Sequence, residues 1–83
     1  MFETWIPFRL AKDADVSLRI YTAGSLVRTI ELGHHHATVY ETKGKAAYWD
    51  GRNNFGEQVA SGVYFYRLQA GDYSQTRKMV ILK

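Results

Sequence analysis

The chain has no cysteine. A disulfide framework, a thiolate metal site and a cysteine nucleophile are therefore excluded together, while secretion is not. Proline occurs once, as Pro7. No apolar run approaches the ~20 residues that carry a helix across a membrane. No secretory leader is legible either, so an export address is expected elsewhere or in a larger parent chain. Charge of one sign is scarce: 11 Lys and Arg against 8 Asp and Glu leave +3. Arg77, Lys78 and Lys83 lie near the end, but the cations are too few and too scattered to predict nucleic-acid binding. No segment repeats apolar residues at 3.6 spacing between caps, so helices are not expected.

What remains is a series of short strands in a chain of 83 residues, read as one domain over residues 1–83. Ile6, Phe8 and Leu10 alternate with polar neighbours, and Pro7 between them argues for a sheet edge because it cannot donate to a ladder. Val16, Leu18 and Ile20 point inward; Ser17, Arg19 and Tyr21 point outward. The tetrapeptide Thr22–Ala23–Gly24–Ser25 reads as a tight turn, Gly24 being free to take positive φ. A strand follows to Leu32, and Gly33–His36 is expected to break it. Extended structure resumes at Ala37–Thr42, turns at Lys43–Lys45, and ends at Trp49. After a polar run, Gly62–Ala70 and Ser74–Lys83 read as two strands joined by a turn at Gly71–Tyr73. About seven short strands at this spacing predict an all-β, immunoglobulin-like antiparallel β-sandwich.

The stretch WDGRNNFGEQVASGVYFYRL carries the most information. Its last part has the form of the immunoglobulin strand in which a tyrosine folds over the core edge and bonds upstream backbone. Tyr64 fits that corner, which sets Tyr64, Tyr66 and Leu68 inward and Val63, Phe65 and Arg67 outward; the opposite phasing is the alternative. Trp49 would pack beneath. With Val16, Leu18 and Ile20, these residues form the expected core. The polar run is then a crossover, with Asp50, Asn53 and Asn54 capping free amides.

The segments RIYTAGSLVRTI, WDGRNNFGEQVASGVYFY and TRKMVILK resemble the immunoglobulin-like domain that ends many secreted bacterial proteins. That group includes the flagellar hook-assembly (FlgD-type) domain and the C-terminal sorting domains of the type IX (Por) secretion system. The resemblance runs from Glu3 onward. It departs at the start, where relatives carry an Asn-Pro-Phe-Asn-Pro segment, and at GHHHATVYETKGKAA, which is longer than the usual connection. It implies a non-catalytic C-terminal module of a secreted or cell-surface bacterial protein. Its partners would be secretion or cell-surface machinery, or neighbouring domains of the parent. The candidate sorting strand is Thr76, Arg77, Lys78, Met79, Val80, Ile81, Leu82 and Lys83. Without the leading segment, the first strand is expected to leave an open edge, which invites an edge-strand homodimer or complementation by a peptide.

Other features carry less chemistry. In a strand, only His34 and His36 of the triple His share a face, and zinc needs three or four ligands; Glu31 or Glu41 would have to fold in. The run is read as an exposed loop, with no metal site. Asp50–Glu57 is rich in oxygen but lacks EF-hand spacing, so turn capping is expected. No serine stands in a nucleophile elbow, and neither an enzyme nor a cofactor is expected. Outward Trp5, Tyr21 and Phe65 form a candidate binding surface for glycan or protein, the alternative to cross-strand packing.

Overall fold

The computed structural model describes residues 3–82. Every regular element among them is a strand: β1 (Thr4–Ile6), β2 (Phe8–Arg9), β3 (Ala14–Thr22), β4 (Ser25–His35), β5 (Val39–Tyr40), β6 (Ala47–Trp49), β7 (Gly62–Ala70) and β8 (Tyr73–Ile81). The count is eight rather than about seven. The long strands form one antiparallel sheet in the order β4-β3-β7-β8, and the short ones pair as β1-β6 and β2-β5. Pro7 lies between β1 and β2. It marks the point where the first extended segment leaves one partner for another, as a residue with no N–H to offer should.

The core lies between the four-stranded sheet and the short pairs. Val16, Leu18, Ile20, Tyr64, Tyr66 and Leu68 bury one face of the sheet, and Ile6, Phe8, Leu10, Ala47 and Trp49 meet them from the short strands. Trp49, Leu18 and Ile20 are wholly buried. The Trp49 indole stands 6.2 Å from the Tyr64 ring and donates its N–H to the Arg52 carbonyl at 3.0 Å, so its polar edge is satisfied without water.

Turn chemistry fixes the register. Ala23 and Gly24 both take positive φ, 48° and 80°, between the paired residues Thr22 and Ser25. This is the type I′ pattern, whose twist matches the strands it joins. At the second hairpin only Gly71 is positive, at 59°, between paired Ala70 and Tyr73.

The strand break expected at Gly33–His36 does not occur: β4 continues to His35. The register shifts between Val16 and Ser17, where Val16 faces Gly33 and Ser17 faces Glu31. Leu32 is the extra residue of a β-bulge, and Gly33, with φ of 82°, absorbs the kink so that pairing resumes. A second shift at Ile20/Tyr21 leaves Val27 extra.

Candidate functional site: the β8 rim and the groove beneath it

The two rims of the main sheet are built differently. At β4, the Asp50–Glu57 loop covers the edge. Asn54 donates its N–H to the Val27 carbonyl at 3.0 Å, and its side-chain oxygen accepts from the Thr29 N–H at 3.0 Å. Arg28 donates to the Asp50 carboxylate at 3.1 Å and to the Arg52 carbonyl at 3.0 Å. The second bulge thus turns a β4 carbonyl toward the loop that closes the rim.

Inside that loop the oxygens are spent on the chain itself. Asp50 also accepts from the Arg52 N–H, Asn53 Oδ1 accepts from the N–H groups of Phe55 and Glu57, and Asn53 Nδ2 donates to Glu57. These are amide caps of the kind expected of Asx turns.

β8 has no comparable cover from the described residues. Among the described residues, no backbone bond joins its far side to another segment. Thr76, Lys78 and Val80 alternate outward from it and are exposed. Met79 and Ile81 reach the core, but Gln75 and Arg77 continue that inward row as polar residues. The sheet here extends past its covering layer. The result is a groove of about 1220 Å³, lined by Phe8, Leu10, Tyr66, Tyr73, Gln75 and Arg77 among others. Burial pushes the Tyr66 phenol above its ordinary pKa, with Arg77 and Gln75 acting against the shift. Lys83, the last residue of the candidate sorting strand, lies outside the described residues, and Leu82 is exposed beyond the end of β8.

The candidate binding surface divides. Tyr21 and Phe65 are cross-strand partners on the outer face of the main sheet, with Lys78 opposite Phe65. Exposed Val63 and Val80 pair beside them, and exposed Leu26 lies opposite Tyr21. Trp5 belongs to the other layer, 5.4 Å from Tyr48 and under the Lys43 ammonium at 4.5 Å. Three outward aromatics do not make one platform, because alternation within a strand does not say which layer the strand joins.

The triple His also divides. His35 turns inward, 5.9 Å from Phe8 and 5.1 Å from Tyr40. His34 and His36 stand together outside, but the carboxylate beside them is Asp13 rather than Glu31 or Glu41; Glu41 pairs with Arg9. The Ala37 amide, and then His36, hold the Asp13 carboxyl below the usual carboxylate range.

Residues 31–82, more than half of the chain, match the CHU_C type IX secretion signal domain. The chain belongs to that family. The matched span begins in β4 and takes in the Asp50–Glu57 loop, Trp49, the Tyr64 corner and all of β8. Membership in the signal-domain family implies a bacterial protein that is secreted or held at the cell surface, and contact with the secretion machinery. No curated protein and no solved structure matches the chain. Among the described residues, no helix is long and apolar enough to cross a membrane.

Proposed function

We propose that this signal domain is a non-catalytic, immunoglobulin-like sandwich that acts as the C-terminal sorting module of a larger protein. In this reading the export or attachment machinery recognises it at the β8 rim. The observation that carries the reading is the asymmetry of the sheet. The β4 rim is closed by Asn54 and Arg28, whereas β8 keeps its outer backbone and outward row Thr76, Lys78 and Val80 open. An open edge offers a ladder of N–H and C=O groups to an added strand, and the groove beneath offers room for side chains on alternate positions. A homodimer or a captured peptide, expected at the edge of the first strand, would find a second open edge at this rim. The site that resembles a calcium loop is consumed by its own amides, which supports a structural role for Asp50–Glu57.

A second reading rests on the outer patch of Leu26, Tyr21, Phe65, Val63 and Val80. Apolar residues grouped on one sheet face suit a neighbouring domain of the parent or another protein surface better than a sugar, since Trp5 is not among them.

The test is to place the chain behind a periplasmic reporter in a bacterium that uses type IX secretion, and to compare it with the double variant Lys78→Glu, Val80→Asp. Both positions are exposed; Lys78→Glu reverses the sign of the charge a partner strand meets, and Val80→Asp adds a new charge, which deters an added strand. The surface fraction should fall several-fold at an unchanged melting temperature. Export equal to the parent chain's would remove β8 from recognition.

A further inference from the structure

We propose that Asp13, His34 and His36 form a binding site for a divalent transition-metal ion of the zinc, nickel or copper class. The three side chains each present a ligand atom, all within 4.8 Å of one another. Ligand atoms ~2.0–2.2 Å from a tetrahedral ion lie roughly 3.3–3.6 Å apart. Closing the site therefore takes up to about 1.5 Å of approach, shared among exposed side chains. The sequence alone points to an exposed loop without metal, since Glu31 or Glu41 would have to fold in as the third ligand; the carboxylate grouped with the histidines is Asp13.

The backbone brings the donors together. Alternation at the end of β4 puts His34 and, one residue past the strand, His36 on one side and sends His35 to Phe8 and Tyr40 on the other. Asp13 arrives from the turn between β2 and β3. Its Oδ1 accepts from the Ala37 N–H at 2.7 Å, and the Leu10 N–H bonds the Thr38 carbonyl at 3.0 Å. These two bonds pin the turn against the end of β4 and leave Asp13 Oδ2, 3.4 Å from His36 Nδ1, on the histidine side.

A carboxylate also stands behind one of the imidazoles. His34 Nδ1 lies 3.2 Å from Asp15 Oδ1, its cross-strand partner. With that nitrogen donating, Nε2 carries the lone pair, the arrangement that orients and strengthens histidine ligands. Two imidazoles and one carboxylate suit zinc, nickel or copper, whereas calcium and magnesium seek oxygen. Three protein ligands leave at least one position for water or for a donor from another molecule.

The test uses the 83-residue chain with zinc chloride and nickel sulfate, by calorimetric titration and by melting temperature. The expected result is one ion per chain at micromolar metal and a melting temperature raised by several degrees, both reversed by chelator. His34→Ala and His36→Ala should each weaken binding about tenfold or more. Asp13→Asn, which still accepts from the Ala37 N–H, should weaken it with at most a small drop in the metal-free melting point. Asp15→Asn should cost less than any ligand variant, and His35→Gln should leave the metal-induced rise intact. No binding at micromolar metal, or binding that survives the His34→Ala, His36→Ala double variant, would overturn the site.

Discussion

The Tyr64 hydroxyl donates a 2.8 Å hydrogen bond to the carbonyl of Ala60. It ties the entry of β7 to the segment four residues upstream while the ring packs against Trp49. Tyr64→Phe keeps the ring and removes the bond, so it should lower unfolding free energy by about 1 kcal/mol. A denaturant midpoint equal to that of the parent chain would deny the bond a role.

Arg28 and Asp50 are both only part-exposed, and Arg28 also holds the Arg52 carbonyl. Removing one partner leaves the other with unmet hydrogen bonds, which costs more than the exposed-pair value. Arg28→Met should destabilise by about 1–2 kcal/mol. In a double-mutant cycle with Asp50→Ala the two losses should fall short of adding, because they remove one shared contact. Strict additivity would mean that the loop closes β4 without this pair.

The turn Ala23–Gly24 holds an L-residue other than Gly, Asn or Asp at positive φ, where it costs roughly 1–2 kcal/mol. Asparagine tolerates that conformation and leads the residues preferred at this turn position. Ala23→Asn should therefore raise stability by about 0.5–1 kcal/mol. Lower stability in thermal melts would show that the turn is not held in the type I′ form.

Much of this architecture could be read from residue order, and the exceptions have physical causes. Val16, Leu18 and Ile20 declare an inward face by alternation, and the Gly62–Tyr64 phasing places Tyr64, Tyr66 and Leu68 with them. Gly33 looked like a breaker because a glycine after Leu32 fits either a strand end or a bulge; cross-strand pairing decides for the bulge. The polar inward row Gln75–Arg77 was a signal that β8 outruns its cover, but its meaning needs the strand order. The meeting of Asp13 with His34 and His36 depends on the path of the β2–β3 turn, which no local pattern encodes.

Tyr66 gives the alkaline prediction. Burial raises its pKa in the folded state above the unfolded value, so above pH ~10 the unfolded chain loses the phenolic proton more readily. The stabilising contribution is complete below that pH and is lost as pH rises through the folded-state pKa. Thermal stability should therefore fall on the alkaline side more steeply in the parent chain than in Tyr66→Phe. Parallel profiles would mean that Tyr66 titrates as it does unfolded.

The central claim is that the folded domain is itself an export address. The most direct measurement is the fraction of a periplasmic reporter that reaches the cell surface or medium when this chain is joined to its C-terminus, in a bacterium with a working type IX system and in one without. Most of the reporter should leave the first cells and remain in the periplasm of the second. Trp49→Ala, which deletes a wholly buried side chain at a cost of about 3–5 kcal/mol, should abolish export along with the fold. Retention of the intact fusion in the periplasm of both strains, with the domain folded, would contradict the account.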